Sequence, residues 1–280
     1  MKLSDRPISN YRRILIYGGP KVGKTQLAGG LSEKYNLHWV DLENGAETLK
    51  KLPIFQQERI DLLSLPDTRS WPVAIKTCLK IIKGGKHEVC DAHGKIACAV
   101  CKKSDAPFTS ICVDEFGAED VLVFDSLTQL TQSAISNITK SKPDDYKMEY
   151  DDWANLGKLM DMFLSHVQQA KYNVVCISHE SEAEMEDGKM RIVPVAGTRN
   201  FSRNTAKYFD DVVYAEVKNG KHVFASSTTY RNNIQTGSRA GVAMETSEAP
   251  SLLQLFEAVK PKEEQPFAAR LSGLKGGVTK

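Results

Sequence analysis

The 280-residue chain lacks a net charge of either sign that would indicate a polyanionic or polycationic partner. Its 37 lysines and arginines are balanced by 35 aspartates and glutamates, which leaves a formal net charge of +2. A surface for nucleic acid must therefore be local, or be assembled from several subunits. No internal repeat is visible in the sequence.

Long apolar runs are also missing. No stretch approaches the roughly 18 consecutive apolar residues of a membrane span, and the polar start Met1-Lys2-Leu3-Ser4-Asp5 does not have the pattern of a signal peptide. We therefore expect a cytoplasmic protein without membrane contact. Its six cysteines are then expected to be thiols or metal ligands rather than disulfides. The 41% hydrophobic content suffices for one substantial α/β core with a small insert or tail.

Residues 18–25 read Gly-Gly-Pro-Lys-Val-Gly-Lys-Thr and follow the G-x-x-x-x-G-K-T pattern, which we call the phosphate loop. Its glycines let backbone N–H groups turn toward a triphosphate, Lys24 can reach the β- and γ-phosphates, and the Thr25 hydroxyl can ligate Mg²⁺. A strand-like run precedes the loop and a helical stretch follows it, which disfavours a glycine-rich turn without nucleotide. The sequence predicts binding of ATP and Mg²⁺ through Gly18, Gly19, Pro20, Lys21, Val22, Gly23, Lys24, Thr25 and Gln26.

A second nucleotide motif is the apolar run 121–124 followed by Asp125, which would hold Mg²⁺ through water. AAA+ ATPases usually carry a glutamate directly after this aspartate, whereas this chain has Ser126. A hydrolytic enzyme still needs a group that orients the attacking water. Residues 38–45 read as a strand ending in two carboxylates, and Glu43 would emerge at its C-terminal edge, where α/β sheets place ligands. Glu43 is therefore the predicted catalytic carboxylate.

This arrangement resembles the RecA/RadA/DnaB/KaiC class of P-loop NTPases. The resemblance implies an α/β, RecA-like core over residues 10–245, with a mainly parallel central sheet flanked by helices. It also implies that His179, at the end of the apolar run 173–178, senses the γ-phosphate; a capping or surface histidine is the alternative. Lys24, Glu43, Asp125 and His179 would form the catalytic set within one subunit.

The same class supplies a Lys/Arg finger to the ATP of a neighbouring subunit, and residues 230–237 partly match the segment that carries it. Arg231 is the candidate finger in trans, and Arg239 is a second candidate. A solvated charge on a hairpin is the alternative. The resemblance therefore implies a homo-oligomer, either a ring or a filament.

The interval 84–119 interrupts the expected path to the strand that ends at Asp125, and five of the six cysteines fall between positions 78 and 112. Cys98-x-x-Cys101 and Cys90-x-x-His93 have the spacing of zinc knuckles. Our hypothesis is a structural Zn²⁺ held by Cys90, His93, Cys98 and Cys101, with His87 or Cys112 as alternates. Reduced cysteines without a metal are the alternative.

Periodicity predicts the remaining elements. We expect strands at 60–65, 212–217 and 222–227, helices at 71–83, 127–139 and 153–170, a turn at 187–188, and a region 246–280 that contains a helix near 250–259 and a mobile tail.

The layout, with the strings at 123–128 and 208–213, resembles the phage Sak-type RecA-core annealing proteins. That resemblance implies ATP-dependent binding of single-stranded DNA, strand annealing or exchange in phage recombination, and hence the host cytoplasm. The loop 140–152 is too acidic for DNA, so we expect the loop 180–204 to bind it; a subunit-contact hairpin is the alternative. The candidate DNA residues are Lys189, Arg191, Arg199, Phe201 for base stacking, Arg203 and Lys207. A single-stranded-DNA-binding protein is a possible partner of the tail.

Two other functional classes fit the same motifs. A helicase loader or motor-type ATPase of replication would show DNA-stimulated hydrolysis with little annealing. A nucleotide-switched assembly protein of the KaiC kind would bind protein partners without DNA, and it fits the weak net charge, although the basic residues of 189–207 argue against it.

Overall fold

The computed structural model describes residues 11–185, 187–227, 233–239, 241 and 251–257. Its strands are β1 (Arg13–Gly18), β2 (Asn36–Asp41), β3 (Ile60–Ser64), β4 (Lys86–Cys90), β5 (Phe108–Cys112), β6 (Asp120–Asp125), β7 (Asn173–Glu184), β8 (Met190–Pro194), β9 (Asp211–Lys218), β10 (Lys221–Ala225) and β11 (Gly237–Ser238). Its α-helices are α1 (Lys24–Gly29), α2 (Ile54–Gln57), α3 (Ala74–Lys83), α4 (Ala99–Lys103), α5 (Leu127–Thr139), α6 (Tyr150–Gln169), α7 (Arg199–Arg203) and α8 (Leu253–Glu257).

One sheet carries most of the strands, in the order β10-β9-β1-β7-β6-β2-β3. The six strands from β9 to β3 are mutually parallel, while β10 and β11 pair antiparallel with β9, and β8 pairs antiparallel with β7. The predicted fold class, a mainly parallel central α/β sheet flanked by helices, is confirmed. Parallel strands are buried on both faces, which explains why they read as unbroken apolar runs.

Alternate residues of the central strands pack into two hydrophobic cores, one on each face of the sheet. On one face, Leu15 and Tyr17 of β1 pack in the cluster that includes α3, α5 and α6. On the other face, Ile14 and Ile16 pack with α1 and α8. Because successive side chains of a strand point to opposite faces of the sheet, the two pairs pack against different helices. Helices therefore cover both faces of the sheet.

Two ion pairs join the start of β1 to the start of β9. The buried Arg12 guanidinium pairs with Asp211, and Arg13 Nε lies 2.7 Å from Asp210 Oδ2. Burial raises the pKa of Asp211, and the nearby Arg12 opposes that rise. These contacts explain the consecutive acids of the 208–213 string as partners of the two arginines at the start of β1.

Several boundaries differ from the sequence prediction. The helix expected from residue 71 begins at Ala74, because Asp67 Oδ1 accepts from the backbone N–H groups of Val73 and Ala74 and holds the preceding segment as a loop. The helix expected from residue 153 begins at Tyr150, behind a capping box. Strand β7 continues through His179 to Glu184, since it pairs with β8. The expected loop 180–204 is therefore largely an antiparallel extension with its turn at 187–188.

The 84–119 interval is built around a β-hairpin of β4 and β5, with α4 between the strands. Of the tail, the structure describes only α8 and the two residues before it. In the described part of the chain, no helix combines the length and apolar character that crossing a membrane requires.

Candidate nucleotide site and cysteine cluster

The phosphate loop joins β1 to α1, and glycine is required where it leaves the sheet. A Cβ at Gly18 would lie 2.0 Å from the Ala215 carbonyl oxygen on β9. Gly23 has a φ of +91°, a conformation that other residues rarely adopt. The loop can therefore lie against β9 and β10 only with glycine at these positions.

Lys24 lies within the phosphate loop. Its Nζ donates to the carbonyl oxygens of Gly18 at 2.9 Å and Gly19 at 2.6 Å. Burial lowers the pKa of Lys24, and Asp125, Glu43 and Glu180 oppose that fall. A cation held in this way, at the N-terminal end of a helix, can compensate the charge of a triphosphate.

Asp125 ends β6 at the position expected of a magnesium-binding carboxylate. It is buried, and its Oδ2 accepts from the Thr25 hydroxyl at 2.9 Å. Burial raises its pKa to about 7, reinforced by the charges of Glu43 and Asp41 and opposed by Thr25 and Lys24. A hydroxyl and a carboxylate are hard oxygen donors of the kind that Mg²⁺ prefers, so these two side chains fit the ion.

Glu43 lies beside Asp125 because β2 is the neighbour of β6 in the sheet. Its Oε1 accepts from the Ser126 hydroxyl, and its Oε2 lies 3.5 Å from His179 Nε2. The contact with His179 lowers the pKa of Glu43, with help from Ser126 and Lys24 and against its partial burial. The structure thus places together the predicted catalytic carboxylate and the predicted γ-phosphate sensor, which are 136 positions apart by their numbers.

Sequence reasoning missed the part played by Asp41. Its carboxylate is buried and accepts from the backbone N–H groups of Glu43, Gly45 and Ala46, each at 3.1 Å. This network fixes the short loop that carries Glu43. An aspartate at the end of a strand, two residues before a second acid and four before a glycine, is the available signal, since aspartate often closes such turns.

His222 on β10 is a second residue that the sequence gave no reason to select. Its Nδ1 lies 3.0 Å from the Val22 carbonyl oxygen and 3.2 Å from where a Cβ on Gly23 would lie. No signal in the sequence links a histidine on a late strand to the phosphate loop.

The candidate finger Arg231 lies outside the described residues. Arg239, the second candidate, lies 3.2 Å from Asp210 through Nη1 and donates through Nη2 to the Lys207 carbonyl oxygen. It therefore contacts the base of β9 in its own chain.

The candidate DNA residues lie on or next to β8 and α7. Lys189 and Arg191 lie 4.0 and 3.4 Å from Asp187, so one carboxylate partly neutralises both. Phe201 is half-buried against the core and stacks on Tyr208, with ring centroids 6.0 Å apart. Arg203 is also half-buried, whereas Arg199 and Lys207 are exposed.

The four predicted zinc ligands converge at one end of the β4–β5 hairpin. One ligand atom each from Cys90, His93, Cys98 and Cys101 lies within 4.8 Å of the others, so the cluster could hold a metal ion. His93 Nδ1 lies 3.0 Å from Cys101 Sγ and 3.8 Å from Cys98 Sγ.

The two alternate ligands lie elsewhere. Cys112 is opposite Lys86, at the far end of the hairpin from Cys90. His87 Nε2 contacts the carbonyl oxygens of Lys80 and Gly84, at 3.0 Å each. Neither residue is in the cluster of candidate metal ligands among the described residues.

Solved structures that are similar to the chain include a RadB recombinase and two ATPases. The first, "Crystal structure of the RadB recombinase", is 17% identical with a TM-score of 0.39, covering 80% of this chain and 83% of that one. The second, an ATPase domain, is 10% identical with a TM-score of 0.43, covering 85% of this chain and 80% of that one. An ATPase "from the type III secretion system of pathogenic bacteria" is 15% identical with a TM-score of 0.41, covering 73% of this chain and 52% of that one. At these TM-scores the likenesses say nothing about what this chain binds.

A search of curated proteins gave no significant match. A family model does match, and it spans most of the chain. Residues 10–240 match AAA_24, described as an AAA domain. The carboxylate beside Asp125 nevertheless comes from the end of β2, as in the RecA-type arrangement, since Ser126 follows Asp125. The chain therefore belongs to the AAA domain family AAA_24 and carries the motifs of a P-loop ATPase.

Proposed function

We propose that this protein hydrolyses ATP with Mg²⁺ and uses the nucleotide cycle to bind single-stranded DNA. The observation that carries the ATPase part is the convergence of the phosphate loop, Asp125, Glu43 and His179 at the carboxyl edge of adjacent strands. Parallel α/β sheets place their ligands at this edge.

In the proposed mechanism, the phosphate loop and Lys24 hold the triphosphate. Thr25 and Asp125 would hold Mg²⁺, which supplies neutralisation of charge on the phosphate oxygens. Glu43 is ionised at neutral pH because its contacts lower its pKa, so it can accept a hydrogen bond from the attacking water. His179 contacts Glu43 directly. A movement of His179 in response to the γ-phosphate would therefore also change the position of the Glu43 carboxylate.

Completion of the site by Arg231 of a neighbouring subunit remains part of the proposal, so hydrolysis should depend on oligomerisation. The arginine would stabilise charge that develops on the transferred phosphoryl group. Diluting the protein below its association range should then lower the turnover per subunit.

Glu43→Gln tests the catalytic part. We expect ATP to bind within about twofold of wild-type affinity while turnover falls by about 100-fold or more, a loss in the range of general-base catalysis. The matched control is Glu47→Gln, an exposed carboxylate that pairs with Lys50 on the surface. Wild-type turnover in Glu43→Gln would contradict the proposal.

The DNA part is supported by the basic residues of β8 and α7 and by the resemblance to phage annealing proteins. ATP hydrolysis should be measured with and without single-stranded DNA, beside fluorescence anisotropy of the same oligonucleotide. Arg199→Gln with Arg203→Gln should weaken binding at fixed salt, whereas Lys218→Gln with Lys221→Gln, at the β9–β10 turn, should not. If the two double variants bind single-stranded DNA with the same affinity, the proposed DNA role of α7 is excluded.

The narrower role in annealing and phage recombination has its own test. Complementary single strands labelled with a donor and an acceptor should pair faster with the protein and ATP than without them. DNA-stimulated hydrolysis without faster annealing would favour a loader or motor, and ATP binding without DNA affinity would favour an assembly switch.

We further propose one structural Zn²⁺ at Cys90, His93, Cys98 and Cys101. Ligands about 2.0–2.3 Å from one tetrahedral ion lie roughly 3.5 Å apart, and these four ligand atoms, all within 4.8 Å of one another, are close enough to approach one ion. We expect about one zinc per chain after purification without chelator, and a lower thermal stability for Cys98→Ser. Less than about 0.2 zinc per chain would contradict the proposal.

A further inference from the structure

Exposed lysines from three separate segments interact electrostatically beside the cysteine cluster, where Thr77 of α3 bonds the Gly94 carbonyl oxygen and so holds α3 against the loop of Lys95. Lys76 and Lys80 lie one turn apart on α3, Lys95 lies in the loop after His93, and Lys140 follows α5. Partial burial and the ammonium groups of Lys140, Lys80 and Lys95 lower the pKa of Lys76. We call these four residues the lysine cluster.

Three carboxylates of the loops that flank these segments are engaged with other groups. Asp67 accepts from the backbone at the start of α3, Asp91 accepts from the Thr109 hydroxyl at 2.8 Å, and Asp144 lies 3.3 Å from Arg69. Within the described part of the chain, no carboxylate lies within ion-pair distance of the lysine cluster. Like charges held together without a counter-charge favour an anionic ligand.

An exposed aromatic ring lies at the edge of the lysine cluster. Trp71 has 40% of its surface exposed, and Lys95 Nζ lies 3.8 Å from the centroid of its ring. The indole N–H donates to the His93 carbonyl oxygen at 3.3 Å, which ties the ring to the loop of the candidate metal ligands. Thr77 Oγ1 donates to the Gly94 carbonyl oxygen at 2.7 Å and fixes the same loop to α3.

We propose that the lysine cluster and Trp71 form a surface for single-stranded DNA, separate from the candidate residues of β8 and α7. The lysines would contact phosphates and the indole would stack on a base, the combination that sequence-independent single-strand binding uses. A membrane fits less well, because that requires several exposed apolar side chains; Leu65 and Val73, which flank the Trp71 loop, are buried. The inference rests on the proposed DNA-binding function and assigns it a second surface.

The test uses the full-length protein, a labelled oligothymidylate, a slowly hydrolysed ATP analogue and a series of salt concentrations. The variant is Lys76→Gln with Lys80→Gln and Lys140→Gln, which leaves the cysteine loop intact. Its matched control is Lys102→Gln with Lys103→Gln and Lys158→Gln, three exposed lysines outside the lysine cluster. ATP affinity and thermal melting serve as the checks on folding.

We expect the variant to bind at least about tenfold more weakly than wild type. The slope of log affinity against log salt should become shallower by about 2, since each lost phosphate contact on a single strand contributes about 0.7. Trp71→Ala should weaken binding by about tenfold, and Trp71→Phe should restore most of that loss because it keeps an aromatic face.

The possible failures are distinguishable. If the lysine variant binds like wild type while Arg199→Gln with Arg203→Gln binds weakly, the lysine cluster is excluded and the DNA-binding function stands. If wild type binds no oligonucleotide, both proposals are excluded. If the lysines are needed for binding to vesicles of phosphatidylserine and phosphatidylcholine but not to DNA, the surface is a membrane contact and the inference is wrong.

Discussion

Asp125 should make the nucleotide-free fold less stable as the pH rises. Its pKa is raised to about 7 in the folded protein by burial and by the charges of Glu43 and Asp41, against about 3.9 in an unfolded chain. A raised carboxyl pKa means that the folded state holds the proton longer. The free energy of unfolding therefore falls as the pH passes from about 4 to about 7.

The size of this effect follows from the two pKa values. Between pH 5 and pH 8, ionisation of a group whose pKa rises from about 3.9 to about 7 on folding costs about 2–3 kcal/mol of the free energy of unfolding. The variant Asp125→Asn carries an amide that cannot ionise, so it should escape this loss. The amide oxygen can still accept from the Thr25 hydroxyl.

The assay is urea unfolding of wild type and Asp125→Asn in chelator, without nucleotide, at pH 5 and pH 8. The variant should be more stable relative to wild type at pH 8 than at pH 5 by about 2–3 kcal/mol, although it loses Mg²⁺-dependent ATP binding. Equal pH dependence of the two proteins, within about 0.5 kcal/mol, would refute the assignment of a buried, readily protonated carboxyl at this position.

Three further changes test the architecture around the site. Asp41→Asn removes charge from the network that fixes the loop of the catalytic carboxylate, so turnover should fall about tenfold while ATP affinity changes little; an equal change in both would contradict this separation. Gly18→Ala should lower the free energy of unfolding by about 1–3 kcal/mol, because its Cβ meets the Ala215 carbonyl oxygen, and unchanged urea unfolding would contradict the close approach. Arg12→Met leaves Asp211 buried without its partner and should cost about 3–5 kcal/mol at pH 8, with most of the loss recovered when Asp211→Leu is added.

Local sequence was sufficient for the parts of the site that lie on one segment. The glycines, Lys24 and Thr25 of the phosphate loop are close in sequence, and a strand–loop–helix unit determines their arrangement without reference to the rest of the chain. The apolar run that ends at Asp125 is similarly local. Apolar runs located most strands, while the limits of β7 and α3 were missed because pairing with β8 and the Asp67 cap decide them.

The free carboxylate at the end of a strand indicated the role of Glu43, and resemblance in motif order indicated that of His179, but the contact between them depends on the strand order. Strand β7 lies between β1 and β6, and β2 lies on the other side of β6, so their carboxyl ends meet. The hydrogen bonds of Asp41 are local to the loop that follows β2, whereas the approach of His222 to Val22 arises between segments that are remote in sequence. No periodicity within either segment encodes these contacts.

Spacing alone selected Cys90, His93, Cys98 and Cys101, because a metal knuckle is a short-range motif. The folded hairpin separated these residues from His87 and Cys112. The lysine cluster escaped notice because Lys76 and Lys140 are distant in sequence and the net charge is near zero. The sequence by itself thus determined the ligand chemistry of single segments, whereas the tertiary structure decided which side chains meet, since distances between remote segments are set by strand order and helix packing.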